Sequence, residues 1–298
     1  MTLKIFILLI AFTWVSSDER QDVQLDRAKP VLTRAVEGQL DAQAIQALLR
    51  EMEAKHNEAY AKLEHYSYLL KRTEHQLNDK GEETKSKVHE YRVFPRGQGL
   101  TVSAMLSENG KQLSPEKLRK EKARANKEWL KYKKNPRDRD QRSKVGAQKP
   151  TPPWFEGLDF TRLPPERLEE REVMVLSFRP RSDYSPKENA DKFISGLKGR
   201  IWIDPIEKMV LKTQAELTRD FSAGGLSGWL SSLKPGTALT IENMRLANGL
   251  WVVKRVDFSS IVKERGFLML PHTSRFRLVD EMSDYRPFDP EAVDLFLP

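Results

Sequence analysis

The sequence predicts an α+β fold: one strongly curved antiparallel sheet of about nine to eleven strands, closed by helices, with a basic helical and flexible insert. Three observations predict it. Most of the chain alternates apolar and polar residues with a period of two. Turn residues, not crossover helices, separate these stretches, which makes the sheet antiparallel. One long segment near the start switches to a period of 3.6 instead. A single sheet of that many strands must curl strongly or close, and a curled sheet has an apolar concave face that needs a helix or a ligand to cover it.

Residues 1–17, MTLKIFILLIAFTWVSS, place Lys4 before an apolar run from Ile5 to Trp14, with Val15 and Ser17 as small residues ahead of Asp18. This is the pattern of a cleaved export signal, and the apolar run is shorter than the ~20 residues that span a bilayer. The expectation is a single domain over 18–298 in the periplasm, or one anchored in the inner membrane by an uncleaved signal. Asp41 to Leu63 then carries the helical stripe Ile45, Leu48, Leu49, Met52, Ala59, Tyr60 and Leu63, with Asp41 as N-cap. His56 falls on the same stripe and reads as packing.

The period becomes two at Tyr66. HYSYLLKRTEHQL, TKSKVHEYRVFP and LTVSAMLSENGK read as three consecutive strands, with Asn109-Gly110 as a turn because both residues tolerate positive φ. Arg96-Gly97-Gln98-Gly99 reads as a hairpin turn. Pro164 to Arg171 reads as a short helix. REVMVLSFRPR is a strand. GRIWIDPIEKMVLKTQAEL is a hairpin turning at Asp204-Pro205, and TALTIENMRLANGLWVVKRVDFSS is another turning at Asn248-Gly249. RGFLML and SRFRLVDEMSDYRPF complete the strands.

The formal net charge of +8 is unevenly placed. Between Lys117 and Lys149 fourteen basic residues face four acids, a net of +10, so the remainder is slightly acidic. LSPEKLRKEKARANKEWLKYKK is helical, with Ser114 as N-cap and Pro115 in the first turn. NPRDRDQRSKVGAQKPTPP then breaks it. Within this insert (114–150), Lys120, Lys127, Lys131, Lys133 and Lys134 form either a solvated charged face or a patch for an anionic membrane surface. Nucleic acid is not expected, because no recognition motif accompanies the charge.

No cysteine is present, which excludes disulfides, thiol catalysis, Cys-ligated metals and a lipid-modified cysteine. The five histidines lack metal-ligand spacing. There is no nucleophile elbow, P-loop or dinucleotide fingerprint; Gly225-Leu226-Ser227-Gly228 reads as a loop. No catalytic residue, cofactor or metal ligand is therefore expected. What stands out is apolar surface. Residues 173–178, 201–203, 209–211 and 250–253 are apolar on both faces, so each face must be covered. A helix, a pocket for acyl chains, or both could do this. The candidate lining is Tyr68, Met174, Leu176, Phe178, Trp202, Trp251 and Val253.

The segments Tyr66-Ser67-Tyr68, His89 to Pro95 (HEYRVFP), Gly199 to Asp204 (GRIWID) and Asn248-Gly249-Leu250-Trp251 together resemble the outer-membrane lipoprotein-sorting proteins, the LolA/LolB/RseB-like group. The likeness spans most of 40–110 and 170–288 and leaves out the basic insert. It implies a half-barrel in the periplasm of a double-membrane bacterium, holding lipid acyl chains or a hydrophobic peptide in its concavity. The implied role is a non-catalytic carrier of lipid or lipoprotein. The other readings are a sensor or scaffold that binds a membrane protein or an anionic surface, and an enzyme acting on envelope lipid or glycan.

Overall fold

The computed structural model describes residues 42–96, 100–134, 155–186, 189–222, 231–264, 272–291 and 294–296. The expected signal, the Asp41 cap, the basic linker after Lys134, the Gly97–Gly99 and Gly225–Gly228 loops and RGFLML lie wholly or mainly outside them.

Among the described residues the fold is mostly β, with twelve strands and three helices. Helix α1 (Ala42–Leu63) leads into β1 (Tyr66–Leu77), β2 (Glu83–Pro95), β3 (Thr101–Glu108) and β4 (Lys111–Gln112). Helix α2 (Pro115–Lys134) follows, then β5 (Leu158–Leu168) and β6 (Arg171–Pro180). A short α3 (Asn189–Ile194) precedes β7 (Leu197–Ile203), β8 (Val210–Leu217), β9 (Ser231–Leu233), β10 (Ala238–Arg245), β11 (Trp251–Glu264) and β12 (His272–Pro287). All strand pairs are antiparallel, in the order β4-β3-β2-β1-β12-β11-β10-β8-β7-β6-β5, with β9 beside β11.

The expectation of a strongly curved half-barrel needs correction. The order is linear, with β4 and β5 at its edges, and the sheet is neither closed nor strongly curled. The pattern of cover supplies the reason. Following the register from Leu176 through Ile201, Thr213, Ile241, Val256, Asp280 and Arg72 to His89 defines one face. Helix α1 packs on that face with Ile45, Leu48, Leu49 and Met52 against Leu158, Leu176, Phe178, Ile201 and Ile203. Helix α2 packs on the opposite face at the other end, where Ala125 and Trp129 meet Phe94, Val102 and Ala104. Each helix covers part of one face, so those apolar residues are shielded without the sheet wrapping on itself; Val173, Val175 and Trp202, on the face away from α1, are buried with Leu163 and Leu168 of β5 instead.

The expected helix over Pro164–Arg171 is also corrected. Pro164–Leu168 belong to edge strand β5, Glu169 and Glu170 make the turn and Arg171 begins β6; the β5–β6 pairing slips between Leu163 and Glu166. Pro164 and Pro165 fall in that irregularity, where an edge strand tolerates residues without an amide hydrogen. Pairing with β6 overrides the helix preference of ERLEER.

The turns follow the sequence. Asn109 and Gly110 have φ of 51° and 75°. At the β7–β8 turn, Asp204 Oδ1 accepts hydrogen bonds from the backbone amides of Ile206 and Glu207, both at 2.9 Å. Gly199, which begins the GRIWID segment, has a steric reason. A Cβ there would lie 1.9 Å from the Gln214 carbonyl oxygen and 2.7 Å from the Phe178 ring.

Candidate functional site

The interior beneath the first half of α1 is filled by the protein's own side chains. Leu49, Met52, Phe155, Leu176, Ile201 and Ile203 are each at most 1% exposed. Space opens further along the helix, where α1 crosses one end of the sheet. Antiparallel pairing of β8 with β10 brings the β7–β8 and β10–β11 turns to that end, beside the α1–β1 junction. A groove of about 620 Å³ lies there. Ala59, Met209, Leu250 and Trp251 supply its apolar surface, and Lys55, Lys62, His65 and Arg245 its basic rim.

The groove is held by polar contacts between its three walls. Glu207 is the central tie: its Oε2 accepts the Trp251 indole N–H at 2.8 Å, and its Oε1 lies 3.3 Å from Arg245 Nη1. Lys55 Nζ donates to the Glu207 carbonyl at 3.0 Å, joining the helix to the same turn. Asn248 donates to the Tyr66 hydroxyl at 2.7 Å. Lys62 donates to Glu58 at 2.7 Å, which holds the Glu58 carboxyl below its ordinary range. The Lys62–Glu58 and Arg245–Glu207 ion pairs face solvent, so an incoming anionic group can share their cations at little cost in burial.

On the α1 face of the central strands, a second apolar surface surrounds a buried ion pair. Leu70, Tyr91, Ile241, Val256 and Met282 are half-buried. Between them Arg72 clasps Asp280 through two hydrogen bonds, Nε to Oδ1 at 2.8 Å and Nη2 to Oδ2 at 2.6 Å. Burial pulls the Arg72 pKa down, but the hydrogen bond and charge of Asp280 outweigh it and raise the pKa overall. Nearby, burial lifts the Tyr60 hydroxyl to about 12 and that of Tyr68 higher still.

The seven apolar candidates do not form one lining. Leu176 and Phe178 lie in the core under α1, with Met174 packed against it. Trp202 and Trp251 belong to a different cluster with Val173, Val175, Met209 and Leu211. Trp202 donates to Glu166 at 2.8 Å and lies under Lys212, whose Nζ is 5.6 Å from the ring. Tyr68 stacks on Tyr285 with centroids 5.3 Å apart, and Val253 offers its carbonyl to the Tyr285 hydroxyl at 2.6 Å. Of the seven, Trp251 alone lines the groove. The rest of the lining was missed. Its one signal in the sequence is the Asn248-Gly249 turn; that the Asp204 turn and the half of α1 carrying Lys55 and Lys62 share its end of the sheet is a property of topology. His56 is a packing residue: its Nδ1 is 2.8 Å from the Met52 carbonyl, and burial lowers its pKa.

Among the basic candidates, Lys120, Lys127, Lys131 and Lys134 are exposed on α2. Lys133 turns instead to the C-terminal tail, with Nζ 2.6 Å from the Glu291 carbonyl. Among the described residues no cluster of three or more His, Asp or Glu could hold a metal ion. No helix of the described residues is long and apolar enough to cross a membrane.

No family model matches the chain, and no curated protein does. Solved structures do show similarity, at low TM-score, to the group the sequence resembles. A domain assigned as an outer membrane lipoprotein-sorting protein from Vibrio parahaemolyticus is 13% identical, with 80% of this chain and 93% of that one covered and a TM-score of 0.30. A LolA superfamily protein from Nitrosomonas europaea is 11% identical, covering 82% and 93%, with a TM-score of 0.28. MucB, solved in complex with the periplasmic part of MucA, is 11% identical, covering 78% and 97%, with a TM-score of 0.18. At these scores nothing about ligand or partner follows from the likeness, and what the groove holds is read from its own residues.

Proposed function

We propose that this chain is a non-catalytic carrier of lipid or lipoprotein acyl chains, exported by residues 1–17 and acting in the periplasm. The observation that carries the reading is the groove: about 620 Å³, with an apolar floor and a rim on which Lys55, Lys62 and Arg245 outnumber Glu58 and Glu207. That volume falls within the roughly 300–1,000 Å³ of small-molecule sites. An acyl chain on Met209, Leu250 and Trp251 gains ~0.8 kcal/mol for each methylene it buries. Methionine and tryptophan adapt to a flexible chain, and Lys55, Lys62 and Arg245 stand where an anionic head group would emerge.

Displacement of a fluorescent fatty acid, with native mass spectrometry of protein isolated without detergent, tests this. Ala59→Trp fills the groove from the helix side without removing a described contact. It should weaken binding at least tenfold while leaving the melting temperature within a few degrees. Wild-type protein that carries no lipid and does not take up the probe would end the carrier reading.

A further inference from the structure

The structure sorts the basic residues of α2 by direction. Ala125 and Trp129 are buried against β2, β3 and the C-terminal tail. Lys133 bonds to Glu291, and Lys122 lies 5.0 Å from the Phe296 ring centroid. Lys117, Lys120, Lys127, Lys131 and Lys134 are all exposed. At 100° per residue these five fall within roughly a third of the helix circumference, opposite the buried side, over about 26 Å of axis. Among the described residues Lys117, Lys127, Lys131 and Lys134 have no ion-pair partner, and Lys120 has only an exposed link to Glu116 at 2.7 Å.

We propose that this stripe docks the protein on a bilayer surface rich in anionic phospholipid. The helix is seated by its opposite side, so its charges are presented in a fixed line at no cost in fold. Arg124 falls in the same sector but is held by Glu121, Glu128 and the Ser103 carbonyl, and Glu116 is the sector's one acid, so the cations it presents outward are lysines, with no aromatic or amide side chain among them. Flexible point charges suit a smeared surface potential, whereas reading nucleic acid or a phosphopeptide calls for planar bidentate or stacking groups. The stripe shares no residue with the groove, so it stands whether or not the groove holds lipid.

The test is co-sedimentation of the full chain with vesicles of phosphatidylcholine alone and with 30% phosphatidylglycerol. The protein should partition to the anionic vesicles in excess of the neutral ones, and less so as salt rises. Each Lys→Gln change in the stripe should cost about fivefold in that excess. The five together (K117Q, K120Q, K127Q, K131Q, K134Q) should abolish it, with the thermal melt unchanged because glutamine is as good a helix former as lysine. A control removes the same charge elsewhere, from exposed Lys80, Lys85, Lys87, Lys111 and Lys254; it should keep at least half of the wild-type excess. Equal loss in the two quintuple variants would show a net-charge effect and overturn the proposal. So would binding to heparin or duplex DNA without binding to anionic vesicles.

Discussion

Asp257 shows how single side chains tie neighbouring strands. Arg277 of β12 donates to both of its oxygens, at 2.8 and 2.5 Å, and Arg255 adds a third contact at 3.3 Å. The Arg277 hydrogen bond holds the Asp257 carboxyl below its ordinary value of 3.8 despite partial burial. The sign follows. A carboxyl with a depressed folded pKa stabilises the protein above its unfolded pKa, and the stabilisation is lost as pH falls through the lower folded value. Urea midpoints should therefore decline below about pH 4, and Asp257→Asn should flatten that decline without steepening it. An identical acid limb in both proteins would remove Asp257 from the account. Gly199 belongs to the same scale. The sequence marks it as part of a telling segment, but only the structure says why: Gln214 and Phe178 occupy the space of a side chain.

Among the elements, α1 was legible and α2 only half so. Ile45, Leu48, Leu49 and Met52 repeat at helical spacing and are the residues buried. For α2 the charge hid the contact, because two residues, Ala125 and Trp129, carry its burial. Their partners Phe288, Leu295 and Phe296 lie at the far end of the chain, beyond the reach of any local pattern. Helix α2 also protects the sheet. Beyond β4, the outer edge of β3 is capped by side chains: Glu121 accepts from the Met105 amide at 3.3 Å, and Arg124 donates to the Ser103 carbonyl at 2.7 Å. Unpaired edge groups invite pairing with another chain. Replacing both residues (E121A, R124A) should cost about 1–2 kcal/mol in hydrogen bonds and produce concentration-dependent self-association by light scattering. A variant that stays monomeric at millimolar concentration would assign edge protection to something else.

For the whole molecule, the seam between β1 and β12 is decisive. β1 joins β2, β3 and β4 to one side of β12, and β11 joins the remaining strands to the other. The sequence indicated that both halves share a sheet but not which strands meet, since register across two hundred residues leaves no local trace. Arg72 and Asp280 clasp this seam, with Asp280 5% exposed. Asp280→Asn leaves the arginine without its counter-charge and should destabilise by about 3 kcal/mol, the low end for a broken buried pair, because a quarter of the Arg72 side chain stays in solvent. Equilibrium unfolding in urea reads this directly, and a loss under 1 kcal/mol would mean the seam is held by backbone pairing alone.

The seating of α2 on the tail also has a consequence in time. Asn126 bonds to Asp294, 168 positions later. At about 5–20 residues per second, roughly 10–30 s of translation separate the two. Throughout that interval Trp129 has no Leu295 or Phe296 to rest against. The newborn helix can settle on Phe94, Val102 and Ala104 at once, but its indole stays uncovered on the other side until residues 288–296 have been made.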